Sequence, residues 1–228
     1  MLQEGAFVDY DEYMKTGSDK LNTGSFIDAA DDFAMAAAKA RSAYEMACAY
    51  QLTGVALRLD GNSYTQARIA FSRALILSEE GQELQFRIMR DEALLYADIG
   101  ELLLARQMLM RSYQGLVRLG SKTEAAVSLA AFARIELRLS HDKMAARHLM
   151  IRADRYLRFS DNKNYELNNL VWLFKLVNPL TRLNLLPRVL RLIKQTNQRR
   201  RFVEVALLVV GGNRLYDIVE SRYRRSRT

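Results

Sequence analysis

Cysteine and proline are nearly missing from this 228-residue chain, and each scarcity excludes something. One cysteine, Cys48, permits no intramolecular disulfide and no multi-thiolate zinc site, so a reducing compartment is the expected home. The two prolines, Pro179 and Pro187, argue against Pro-rich linkers and favour helices throughout. Long apolar runs are missing too. The longest uncharged stretch, Met46 to Leu57, has 12 residues, whereas a membrane-spanning helix needs about 20. The opening MLQEGAFVDYDEY is acidic where a secretion signal would be basic and then apolar, so a soluble cytoplasmic protein is expected.

Acidic residues are scarce only in the second half. Residues 1–114 carry 11 Lys and Arg against 17 Asp and Glu, while residues 115–228 carry 23 against 9. The net charge of +8 therefore conceals an acidic half and a strongly basic one. Of the 34 basic residues 26 are Arg, whose guanidinium binds carboxylate or phosphate with two parallel hydrogen bonds where Lys offers a point charge. A basic surface of this kind suits an anionic partner, or is simply a solvated face.

What is present in quantity is repetition. Gly24 to Ala40 (GSFIDAADDFAMAAAKA) recurs as Gly61 to Leu77 and again as Gly100 to Leu116. Aligned on Ala29, Ala67 and Ala105, the segments repeat every 38 residues, with a bulky Phe33, Phe71 or Leu109 four positions on. Three further on stands a small Ala36, Ala74 or Ser112. Small, large, small at helical spacing lets one helix lie close to its neighbour. The segments upstream are apolar at the same period, which predicts helix pairs over 8–22 with 25–40, 43–59 with 63–79, 82–98 with 101–118 and 122–139 with 141–157. Ser42 with Glu45, Ser63 with Gln66 and Ser121 with Glu124 have capping-box spacing, and Gly24, Gly61, Gly81, Gly100 and Gly120 fall at the turns.

These units resemble the tetratricopeptide repeat (TPR) family in its longer-helix variety. Tyr13, Gly17, Gly24, Phe26, Ala29, Phe33 and Ala36 occupy the places of that family's aromatic, small and turn residues, and Tyr50, Gly54, Gly61, Tyr64, Ala67, Phe71 and Ala74 repeat them. The likeness runs over roughly residues 8–157 and weakens through the third unit to the fourth, around Ala146, Met150 and Ala153. The 38-residue period exceeds the family's usual length of about 34, and the inter-repeat Pro is missing, so an α-solenoid of another helical-repeat family is the alternative. The resemblance implies an all-α solenoid of four to five antiparallel helix pairs plus a C-terminal capping helix. It also implies a concave groove that receives a partner protein or peptide, with Tyr13, Tyr50, Phe86 and Arg87 as its candidate residues. Of the positions matching the carboxylate-gripping set of some members, Met14, Ser18, Leu52, Val55, Arg87 and Asp91, only Arg87 has suitable chemistry. A clamp for acidic chain ends is therefore disfavoured.

Residues 1–158 are read as the repeats, and 159–228 as a divergent, basic, helical part packed on them in the same domain. Helices are expected over 164–177, from Pro187 at a first-turn position to about 198, and on both sides of the Gly211, Gly212, Asn213 break. FVEVALLVVGG has strand-like valines in helical surroundings and is read as a buried helix closing the array. No acidic residue lies between Glu166 and Glu204. Arg182, Arg188, Arg191, Lys194, Arg199, Arg200 and Arg201, with Arg222, Arg224 and Arg225 in the tail, are the candidate contacts for an anionic partner. On a helical wheel Arg188, Arg191 and Lys194 share one face, opposite Val189, Leu190, Leu192 and Ile193, so reversing the three charges is expected to spare folding.

Catalytic signals are poor. GLVRLGSKT has an extra Ser121 before its Lys and bridges two helices, unlike a phosphate loop. His141 and His148 are two helical turns, about 10 Å, apart and cannot share a metal. Cys48 lies in an apolar run and reads as a core residue. A non-enzymatic protein-binding scaffold or adaptor without cofactor or metal is expected. A nucleic-acid-associated protein using the Arg-rich end for phosphates is the alternative, and the two oppositely charged halves suggest weak, salt-sensitive self-association.

Overall fold

The structure is a computed structural model that describes residues 9–196, 198–210 and 213, with Arg199 and Arg200 described by their backbone alone. It is all-α: eleven helices and no strand among the described residues. No helix among them is long and apolar enough to cross a membrane. The chain divides into two compact units, one ending at Ser121 and one beginning at Lys122. This differs from the expected division after residue 158, because the fourth helix pair packs with the helices that follow it.

The first unit contains α1 (Tyr10–Thr23), α2 (Phe26–Lys39), α3 (Ala43–Asp60), α4 (Tyr64–Leu77), α5 (Glu83–Asp98) and α6 (Leu102–Arg118). Each helix packs on the next, and α3 also reaches α5. The helices start where side chains satisfy their first amides: Asp9 accepts from the Glu12 amide at 3.0 Å and Ser42 from the Glu45 amide at 3.1 Å. Gly24 (φ 91°) and Gly61 (φ 85°) end α1 and α3 in the left-handed region that suits glycine. Ser63 departs from its predicted role, for its hydroxyl donates to Asp60 and makes no cap bond.

The repeat is a packing unit. Ala29, Ala67 and Ala105, with Phe33, Phe71 and Leu109 and then Ala36, Ala74 and Ser112, have no solvent exposure. A Cβ added at Gly17 would stand 2.8 Å from the Phe33 ring, and one at Gly54 would stand 2.7 Å from Phe71. Thus in the first two pairs a ring from the second helix presses on the bare backbone of the first. The third pair reverses this, with Phe86 of α5 seated on Gly115 of α6. Phe86, expected to line a groove, is instead committed between helices.

The second unit contains α7 (Lys122–Ser140), α8 (Lys143–Leu157), α9 (Lys163–Leu176), α10 (Pro179–Thr196) and α11 (Arg199–Val210). Ala146, Met150 and Ala153 of α8 continue the buried register. The core gathers Leu167, Leu170, Val171, Leu173 and Phe174 of α9, Val189, Leu192 and Ile193 of α10, and Val205 and Leu208 of α11. The valine-rich stretch is therefore helical, and it packs on α9 and α10. Pro187 corrects an expectation: it lies inside α10, and Pro179 holds the first-turn position. The carbonyl that Pro187 leaves without a donor belongs to Leu183, which is 55% exposed, so water can take the place of the missing amide. The second side of the Gly211–Asn213 break lies outside the described residues.

Candidate binding surface on the basic unit

Two of the arginines proposed for a partner are occupied inside the second unit. Arg182 is buried, and its guanidinium donates from Nε to the Phe174 carbonyl at 2.9 Å, from one Nη to the Leu208 carbonyl at 2.8 Å and from the other to Asn213 Oδ1 at 2.9 Å. The first two acceptors are last-turn carbonyls of α9 and α11, where a cation meets the negative ends of two helix dipoles. Burial without a carboxylate lowers the Arg182 pKa from its ordinary value. Asn213 adds a bond from Nδ2 to the Lys175 carbonyl at 2.9 Å.

Arg188 is the hub of an ionic cluster. Its two Nη atoms donate to Asp154 Oδ2 and Oδ1, both at 2.9 Å, and its Nε donates to Glu166 Oε1 at 2.7 Å. Burial opposes the charge, but the hydrogen bonds and fields of Asp154 and Glu166 outweigh it and raise the Arg188 pKa. The wheel misplaced this residue: Arg188 sits beside Val189 and one turn from Leu192, at the edge of the buried face, while Leu190 is 38% exposed. Reversing the charge at Arg188 would place three carboxylates together in a largely dry site, so the expectation that a triple reversal spares folding does not hold. Arg201 is engaged as well, donating to Glu204 and, at 2.7 Å, to Asn168 Oδ1.

Arg191 and Lys194 are exposed. The same side of α10 carries Leu180, Leu183, Pro187 and Leu190, all exposed, so the predicted cationic stripe is a mixed face. The side chains of Arg199 and Arg200, and all of Arg222, Arg224 and Arg225, lie outside the described residues.

The structure points to a face the sequence reading passed over. His148, Arg152, Arg155, Tyr156 and Phe159 are all exposed along α8 and its end, Tyr156 by 51% and Phe159 by 82%. Their spacing of three and four residues puts them on one side of the helix. Asp154, the one carboxylate of the helix within this span, points inward to Arg188, so between His148 and Phe159 the helix itself adds no negative charge to this side. The signal is present in the sequence as a periodicity of basic and aromatic residues from His148 to Phe159. Among the described residues no group of three His, Cys, Asp or Glu side chains could hold a metal ion.

In the first unit, the expected groove residues are largely packed. Tyr13 and Tyr50 lie against one cluster of Tyr10, Ala36, Ala37 and Ala49, and the Arg73 guanidinium covers the Tyr50 ring at 5.6 Å. Arg87 lies near Tyr44 and Cys48. Burial raises the Cys48 pKa, against the lowering by its hydrogen bond to Tyr44 and by the Arg87 charge, so the thiol stays protonated at neutral pH. Gln51 donates to Asp91 at 2.6 Å and Arg58 to Asp98 at 2.8 Å, two bridges that tie α3 to α5 at the same 40-residue offset. Glu92 on α5 is buried, and desolvation raises its pKa against the field of Arg68.

No protein-family model matches the chain, and no curated protein matches it in sequence.

Proposed function

We propose that the chain is a non-catalytic adaptor of the tetratricopeptide kind, working in the cytoplasm, whose second unit docks an acidic partner protein. The observation that carries this reading is the α8 face, where Arg152 and Arg155 stand exposed beside exposed Tyr156 and Phe159 on one side of the helix. Arg and aromatic side chains are the residue types that dominate binding energy at interfaces, because they bury much area and make directional bonds. The packed helices beneath hold the face in place before the partner arrives. Nucleic acid is the second reading, favoured by Tyr156 and Phe159 as stacking groups for bases.

Capture of partners from a native lysate, with and without nuclease, separates the two. The adaptor reading expects capture that survives nuclease, weakens as salt rises and is lost in an Arg152→Glu/Arg155→Glu variant. Capture that disappears with nuclease, and binding of a single-stranded oligonucleotide that falls log-linearly with salt, would replace it with the second reading.

A further inference from the structure

The second helix of each repeat turns the same outward face to solvent, and its charge changes sign along the chain. In the register that aligns Ala29 with Ala146, the outward positions of α2 are Ile27, Asp28, Asp31, Ala34 and Met35, and those of α8 begin Met144, Ala145, His148 and Arg152, while Ile151 is partly buried against the core. On α2, Asp28 and Asp31 are exposed between Ile27 and Met35, which are exposed by 46% and 45%. On α8, Arg152 and Arg155 are exposed beside Tyr156 and Phe159. One face is acidic with apolar flanks, and the other is basic with aromatic flanks.

We infer that the α8 face of one copy docks on the α2 face of a second copy. The two helices have matching lengths, 14 and 15 residues. In each, the charged pair is one turn apart, Asp28 with Asp31 and Arg152 with Arg155, so an antiparallel approach forms two opposite-charge contacts at once. Ile27 then supplies apolar surface to Tyr156 and, one turn further along, Phe159, whose exposure is otherwise unexplained, while Met35 falls opposite His148. The contact is heterologous, using different patches on the two copies, so further copies can add to it. A pair of helix faces falls at the small end of interface sizes, and its charges lie at the surface. The association is therefore weak, concentration-dependent and screened by salt. This inference rests on the proposal that the α8 face is a protein-binding surface, and names the partner.

Sedimentation velocity of the full chain, treated with nuclease, tests it at low salt and at about 0.5 M salt, where the Debye length falls to a few ångströms. The wild type is expected to sediment faster as concentration rises at low salt, and as a monomer at high salt. Asp28→Lys/Asp31→Lys makes both faces basic, and Arg152→Glu/Arg155→Glu makes both acidic, so each variant alone is expected to stay monomeric. Mixed in equal amounts they are expected to associate, since the basic α8 of one meets the acidic α2 of the other; this regain also shows that both variants are folded. A wild type that stays monomeric at every concentration in low salt overturns the inference, as does association that survives either reversal alone, or a mixture that stays monomeric. If the wild type is monomeric while lysate capture still depends on Arg152 and Arg155, self-docking fails and the adaptor proposal stands.

Discussion

Replacing Arg188 by alanine should destabilise the second unit far more than a change at the exposed charges of α10, Arg191 and Lys194. The guanidinium bridges Asp154 and Glu166, whose side chains are only 9% and 5% exposed. Its removal leaves two nearly dry carboxylates facing the space it filled. Breaking a buried pair from one side costs about 3–5 kcal/mol, because the remaining charge stays desolvated without its partner. Two weaker contacts soften the loss here: Arg158 reaches Asp154 at 3.0 Å and Lys163 reaches Glu166 at 3.5 Å. The cost should therefore fall near the lower bound, about 3 kcal/mol. Trp172, the chain's single tryptophan, lies on α9 against this unit's core, so its fluorescence reports the unit directly. In urea the unfolding midpoint should drop sharply with an unchanged slope, since the surface exposed on unfolding is the same. Arg188→Lys should recover part of the loss, because a point charge cannot span both carboxylates as the fork does. Arg191→Ala on the exposed side should cost under about 0.5 kcal/mol and leave the midpoint nearly unchanged. If Arg188→Ala and Arg191→Ala unfold alike, the cluster contributes nothing and its geometry has been misread.

Two further outcomes follow from the first unit. Glu92 has its folded-state pKa raised by burial, so the folded state holds the proton more tightly than the unfolded one; its contribution is most favourable below the ordinary carboxylate pKa and is lost as pH rises through the raised value. Glu92→Gln should therefore raise the melting temperature at pH 7 and have little effect near pH 4, and an equal gain at both pH values would refute the burial argument. Gly54→Ala should lower stability by about 1–3 kcal/mol through the clash of its Cβ with Phe71, outweighing the roughly 1 kcal/mol that alanine gains in helix propensity. Phe71→Leu in the same chain should relieve part of that loss, and a more stable Gly54→Ala single variant would show that the helices can move apart freely.

The sequence by itself determined the helices and their buried register. A period of 38 residues, small residues at Ala29, Ala67 and Ala105, and glycine at the turns are local and repetitive signals, and helix formation and close packing answer to spacing of that kind. Even the valine-rich segment of α11 was readable, because its neighbours were helical. Only the tertiary structure decided what the arginines do. Arg182 and Arg188 look like two more basic contacts for an anionic partner until Phe174, Leu208, Asp154 and Glu166, 8 to 34 residues away, are brought to them. A charged residue at the edge of an apolar face is either solvated or paired inward, and a helical wheel cannot tell which, since the partner comes from another helix. For α8 the spacing already separates the two sides, with Asp154 among Ala146, Met150, Ala153 and Leu157; what the tertiary structure adds is the partner that Asp154 meets there, Arg188 from α10.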